Sequence, residues 1–198
     1  MRIRDEYKEL SIKKSALEMV VKQGIDGLSM QRLAKLAGVS PATIYIYFKD
    51  REDLLLQIAL EENKKMSDAT LINFNPEMHF ADGLRIQWMN RAKYCMENQL
   101  SMEFWEQLKH TPLYEKIFEN MDSGFMNAMK KFVHNAIERK ELVRVPVEVY
   151  WSIAFAPLYQ LVKFHIQGKS FRGSNNSFSL SEDMMMQALE LVIKGLTP

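Results

Sequence analysis

Cysteine is almost missing from these 198 residues: Cys95 stands alone, which excludes an internal disulfide framework and any CxxC redox or zinc pair. The four histidines, His79, His110, His134 and His165, are scattered, with no HExxH and no paired metal spacing. Long apolar runs are absent too. The most apolar stretch, residues 147–166, is broken by Glu148, Ser152, Gln160, Lys163 and His165, so no bilayer span is expected. The N-terminus, polar through Glu9, shows no signal peptide, and a soluble protein in a reducing cytoplasm is the simplest expectation. Gly168-Lys169-Ser170 is similar to the end of a phosphate loop, but Lys163 occupies the place of its first glycine and a helix, not a strand, precedes it. Cys95, on an apolar helix face, reads as filler rather than nucleophile. No catalytic residue, metal site or cofactor is therefore expected, and the chain does not read as an enzyme.

What is present is an ordinary soluble composition, 47% hydrophobic and 26% charged. The net charge of +1 becomes informative once divided. Residues 1–50 hold nine Lys/Arg against six Asp/Glu, or +3, leaving 17 against 19, or −2, for the remainder. The positive part coincides with the stretch that organises the chain, residues 28–51, LSMQRLAKLAGVSPATIYIYFKDR. Ser29 precedes an apolar-periodic run of Met30, Leu33, Leu36 and Ala37, where its hydroxyl can cap a helix. Gly38 tolerates the left-handed conformation of a tight turn, and Val39 is placed to plug the angle between helices. Ser40-Pro41 starts a second helix over residues 41–48, with serine at the cap and proline where no amide hydrogen bond is needed.

Ile44 and Phe48 lie one turn apart and must be the packed side of that helix. Ala42, Thr43 and Ile46 then face outward, with Tyr45 and Tyr47 on the flanks. A short helix after a tight turn, with a small or flat outer face, is the form of a helix-turn-helix recognition helix. The bland alternative is a helical hairpin with its tyrosines in solvent.

Elsewhere the pattern is helical throughout. Apolar positions Ile12, Ala16, Met19 and Val20 trace one face of a helix over residues 6–23, ended at Gly24. Arg2 and Arg4 sit on an N-terminal arm that can reach phosphates or a minor groove, or simply fray. Asp50 caps a fourth helix running to about residue 67, with Asp53 in a capping-box-like position. Further helices are expected over residues 77–99, from a cap at Ser101, over 113–140 with a possible interruption at 122–124, over 146–167, and from a cap at Ser181 to Leu196. The helix over 146–167 is apolar on nearly every side and must be buried on more than one face. The last two long helices are therefore the expected homodimer interface, as a four-helix bundle. A Ser/Asn/Gly-rich loop over 168–179 separates them.

The order LSMQRLAKLAGVSPATIYIYFKDREDLL resembles the DNA-binding signature of the TetR (tetracycline-repressor-like) family of bacterial transcription regulators. The likeness covers residues 10–56, about the first quarter of the chain. It implies an all-α fold: an N-terminal three-helix helix-turn-helix headpiece over residues 1–49, and a C-terminal helical ligand-binding and dimerisation domain over residues 50–198, linked by the fourth helix. It implies a double-stranded DNA operator with inverted repeats, half-sites about 34–36 Å apart, and a small-molecule effector whose binding tilts the fourth helix.

The candidate DNA-binding residues are Ser29, Ser40, Pro41, Ala42, Thr43, Tyr45, Ile46, Tyr47, Lys49 and Arg51. Ala42 and Ile46 offer methyl contact to thymine, Thr43 and Tyr45 offer a hydroxyl, and Tyr47, Lys49 and Ser29 would clamp the backbone. No Arg, Lys, Asn or Gln stands on the helix, so readout should lean on thymine contacts and DNA shape. Many family members place an aromatic where this chain has Ile46. Fourteen methionines and a dense aromatic set support a yielding apolar cavity, with Trp88, Met89, Phe104, Trp105, Met121, Phe125, Met126, Trp151, Phe155 and Tyr159 as candidate lining, although residues so spaced also make packed core. The expected function is a ligand-responsive regulator, a repressor, binding DNA as a homodimer. The alternative is an all-α small-molecule-binding protein or enzyme whose headpiece no longer binds DNA.

Overall fold

The computed structural model describes residues 5–121, 123–168 and 177–198, and among them every regular element is helical. The N-terminal arm with Arg2 and Arg4, Asp122 within the possible interruption, and residues 169–176 of the Ser/Asn/Gly-rich loop lie outside the described residues.

Two compact units form. The first comprises Met1–Lys65 with Asn98–Met121, the second Met66–Glu97 with Asp122–Pro198. In the first, α1 (Glu6–Gln23) begins where the Asp5 carboxylate accepts from the Tyr7 and Lys8 amides, and ends at Gly24, whose φ of 75° only glycine adopts readily. A single 3-10 turn (Ile25–Gly27) leads to α2 (Met30–Leu36). Gly38 at φ 68° then makes the turn into α3 (Pro41–Tyr47). Next, α4 (Arg51–Thr70) opens on a reciprocal capping box: the Asp53 amide donates to Asp50 Oδ1 at 2.8 Å, and the Lys49 amide to Asp53 Oδ2 at 2.8 Å.

Leu33, Ala34, Ile44, Phe48, Leu54 and Ile58 close on Ile12, Ala16, Met19 and Val20 of α1. The other side of α1 receives α6 (Gln99–Leu108), whose Phe104 and Leu108 are fully buried one turn apart. Below it α7 (Leu113–Glu119) adds Leu113 and Ile117 to the same core. The packing unit therefore reaches past the headpiece expected over residues 1–49 and includes helices distant in sequence.

The second unit holds α5 (Phe80–Glu97), α8 (Ser123–Glu138), α9 (Val147–Ala154), α10 (Ala156–Gln167) and α11 (Glu182–Leu196). Gly83 lets α5 and α8 approach closely, since a Cβ there would stand 2.4 Å from the Phe132 ring. That ring packs edge-on against Phe74 and stacks with Phe80. Glu141 clips the start of α5: its carboxylate accepts from the Phe80 amide at 2.8 Å, meets His79 Nδ1 at 2.7 Å and takes Arg139 Nε at 3.0 Å. Partial burial pushes this carboxyl up, but the bonds from Arg139, Phe80 and His79 outweigh burial and draw it down to about 2.

Three expectations need correction. The helix over 146–167 is two helices, broken at Phe155 (φ −127°, ψ −29°), because Pro157 has no amide proton and its ring would meet the Ile153 carbonyl one turn back. Ser101 does not cap α6, which starts two residues earlier after Asn98; Ser101 is buried inside the helix. Ser29 has the extended backbone of a cap, and its carbonyl accepts from Leu33, but its hydroxyl bonds no amide of α2.

Candidate nucleic-acid interface and effector site

The recognition surface is built from the cap outward. The Ser40 hydroxyl accepts from the Thr43 amide at 3.1 Å and bonds Thr43 Oγ1 at 2.8 Å, which fixes the first turn of α3 and holds Thr43 half-buried. Ile44 and Phe48 anchor the helix in the core, and the opposite side is free: Ala42 is exposed, Tyr45 is 54% and Ile46 47% exposed. Ser40, Pro41 and Lys49 are exposed along the same edge.

Two candidates are placed differently from expectation. Tyr47 is not on a flank but in the core, 6% exposed, because it lies only about 60° from Ile44 on the helical wheel, on the side away from Phe48. Its hydroxyl accepts from the Asp5 amide at 3.0 Å and donates to the Asp5 carbonyl at 3.2 Å, joining the start of α1 to the end of α3. Arg51 is engaged locally: its guanidinium donates to the Ile25 carbonyl and lies 3.7 Å from Asp26, so it braces the 3-10 turn.

The ten candidate pocket residues divide. Phe104 is core of the first unit, and Trp105 and Met121 pack against that same core. Helix α6 is held by its fit to α1, a relation between distant segments that periodicity does not reveal. Met89 and Met126 are exposed. The other five, Trp88, Phe125, Trp151, Phe155 and Tyr159, belong to the second unit and gather where Pro157 breaks the helix. Trp88 Nε1 donates to the Ala154 carbonyl at the end of α9, at 2.7 Å. Trp151 and Phe155 are 4.7 Å apart between centroids.

At the centre is a residue that the sequence reading passed over. Arg91 is only 2% exposed; its guanidinium carbon lies 4.3 Å from the Phe155 centroid, 5.3 Å from Trp151 and 5.4 Å from Phe125. One terminal nitrogen donates to Tyr159 Oη at 2.7 Å, the other to Gln87 Oε1 at 3.1 Å, and Gln87 in turn donates to the Thr70 carbonyl. The available signal was Gln87 and Arg91, four residues apart on a face otherwise made of Leu84, Trp88 and Cys95. Burial pushes the Cys95 thiol up to about 11, against a smaller opposing pull from Arg91, so it is a protonated packing residue.

Residues 12–58 match the family described as Bacterial regulatory proteins, tetR family. A crystal structure of a TetR family transcription regulator from Marinobacter aquaeolei superposes with a TM-score of 0.84 at 26% identity, covering 99% of this chain and 98% of that one. Residues 12–58 carry the TetR-family sequence, and the chain as a whole has the fold of a TetR family regulator. An HTH-type transcriptional regulator of Haemophilus influenzae is 29% identical over 103 residues, 52% of this chain and 55% of that protein, so the chain spans about half the length of this relative. The FadR regulator of Bacillus subtilis, solved in complex with stearoyl-CoA, shares the fold of this chain at a TM-score of 0.74 and 19% identity, covering 94% of this chain and 98% of that one.

Proposed function

We propose that this chain is a ligand-responsive transcriptional regulator, a repressor, that binds an inverted-repeat operator as a homodimer and is released by a small apolar or amphipathic effector. The observation that carries the reading is α3: a capped helix whose Ile44 and Phe48 are rooted in the core while Ala42, Tyr45 and Ile46 stand in solvent beside Lys49. Thr43 and Tyr45 supply hydroxyls to bases or phosphate, Ala42 and Ile46 methyl contact to thymine, and Ser29, Ser40, Pro41 and Lys49 the backbone edge. Residues 1–49 would be the DNA-binding domain and residues 50–198 the sensing and pairing domain.

A single headpiece this small buries little DNA surface, so pairing is needed for a specific site. Support for pairing comes from α11, where Met184, Leu191 and the bare Gly195 recur along one solvent-facing stripe, with Leu191 70% exposed. The effector reading draws on the aromatic cluster around Arg91, and on the stearoyl-CoA bound by the FadR regulator of similar fold. The reading places the work of the protein on DNA in the cytoplasm; among the described residues no helix is long and apolar enough to cross a membrane.

The test is a DNA selection from genomic fragments followed by binding at increasing salt. Affinity should fall steeply with salt, and Tyr45→Ala should weaken it at unchanged helicity. A folded protein that binds no fragment, or binds without salt dependence, would favour the small-molecule-binding alternative. Leu191→Arg should convert a dimer into monomers by sedimentation and cost DNA affinity together.

A further inference from the structure

The cationic guanidinium of Arg91 is buried in the second unit with aromatic rings, a phenol and an amide as its neighbours. Among the described residues none of these partners is a carboxylate. Rings and neutral oxygens soften the loss of water but do not cancel the charge, and a buried cation is ordinarily paired. Two polar atoms here are also buried without a hydrogen bond: Arg91 Nε and the Tyr150 hydroxyl. The Tyr150 ring and the Arg91 guanidinium both pack on Phe155, 6.1 and 4.3 Å from its centroid, and burial pushes the Tyr150 phenol well up, so it is a neutral donor.

Trp88, Trp151 and Phe155 make the surroundings apolar, and they grade outward: Phe155 is fully buried, Phe125 half-buried, and Trp151 38% exposed. A donor pair at the deep end and rings leading to solvent describe a receptor for a molecule with an anionic head and an apolar body. One cation serves one negative charge. A phosphate, with near two charges, would leave the remainder uncompensated in this apolar setting. A carboxylate matches the planar fork of the guanidinium and has a second oxygen for a phenol donor.

We infer that Arg91 and Tyr150 form the anion-binding end of a site for apolar monocarboxylic acids, with Phe125, Trp151 and Phe155 enclosing the hydrocarbon. This rests on the reading of the second unit as the sensing part of a regulator, but it is tested by binding alone.

Octanoate and phenylacetate, each against its alcohol, octanol and phenylethanol, are titrated into the full-length protein by calorimetry and by melting temperature. Each acid should bind at least about tenfold more tightly than its alcohol, the size expected of a charge-assisted hydrogen bond in a dry site. Tyr150→Phe should weaken the acids several-fold and leave the alcohols unchanged. Arg91→Lys, which keeps the charge but loses the fork, should weaken them about tenfold or more. Should Arg91→Lys fail to fold, Tyr150→Phe and the acid-to-alcohol ratio of the unaltered protein decide.

Equal binding of acid and alcohol, no binding of either acid, or full acid affinity in a folded Tyr150→Phe would overturn the site. DNA release by the same acids is scored separately. Tight, Arg91-dependent acid binding without DNA release supports the site and counts against effector control. DNA release by a neutral molecule in a protein indifferent to acids does the reverse.

Discussion

The headpiece and the second unit handle positive charge in opposite ways. Around α3, Lys35 and Lys49 are exposed, so their charge is projected through water. In the second unit Arg91 is withdrawn from water and held by rings and neutral oxygens, so its charge is felt only by what enters with it. One placement suits a long polyanion found by diffusion and sensitive to salt; the other suits a single small anion and is barely screened. The difference lies in depth, since cation counts at the two places are both small.

The largest expected effects come from removing the aromatic anchor of each region. Phe48→Ala should lower stability by about 3–5 kcal/mol in urea unfolding and abolish DNA binding. Phe155→Ala should lose a similar packing contribution and, with it, about 0.5–2 kcal/mol of cation–π attraction to Arg91. A Phe155→Ala loss clearly smaller than that of Phe48→Ala would show the second cluster to be loosely packed.

Salt sharpens the contrast next. Lys49→Ala should reduce the slope of log affinity against log salt by about one, with stability changed by less than about 0.5 kcal/mol. Arg91→Gln should leave that slope alone while changing stability. Equal slopes for wild type and Lys49→Ala would remove Lys49 from the phosphate contacts.

Smaller effects separate structural polar groups from DNA contacts. Asp53→Ala should cost about 1 kcal/mol through the capping box. Tyr47→Phe should cost about 0.5–1.5 kcal/mol by unmaking its bonds to Asp5, with no change in the salt slope. A reduced slope in that variant would return Tyr47 to the DNA-facing set.

The smallest concerns acid. The Glu141 carboxyl is held at about 2, below its ordinary 4.5, so its contribution is complete above about 4.5 and is lost as pH falls toward 2. The stability difference between wild type and Glu141→Gln should therefore shrink over that window and be constant above it. A difference that grows on acidification would mean that the Arg139 and Phe80 bonds do not favour the charged form.

Several caps and turns were legible in the sequence, although the caps expected at Ser29 and Ser101 did not form. Gly24 ends α1 at the expected residue, Ser40-Pro41 opens α3, and Asp50 with Asp53 makes the expected box, because caps and turns are decided by neighbours a few residues away. Exposure of Ala42 and Ile46 followed from the wheel once Ile44 and Phe48 were taken as the anchor, whereas Thr43, expected on the same outer face, is half-buried against Ser40. Tyr47 was misplaced because an anchor drawn from Ile44 and Phe48 alone is too narrow, and the buried face extends about 60° beyond Ile44 on its other side. Phe104 and Trp105 could not be assigned to the first core, since only the approach of α6 to α1 puts them there. Apolar periodicity ran straight over Pro157, and attention to aromatic and methionine content left Arg91 unread among residues it was meant to sort.

Pro157 reaches further than the kink it makes. One hydrogen atom missing from the backbone divides what would be a straight rod, and the joint turns Phe155 inward while Trp88 holds the Ala154 carbonyl on the near side. The shape of the proposed acid site would thus be inherited from main-chain chemistry, whereas its polarity would be set by side chains. Changes in Phe125 or Trp151 could retune which acid fits without disturbing the joint, giving the molecule a way to alter its preference while keeping its frame.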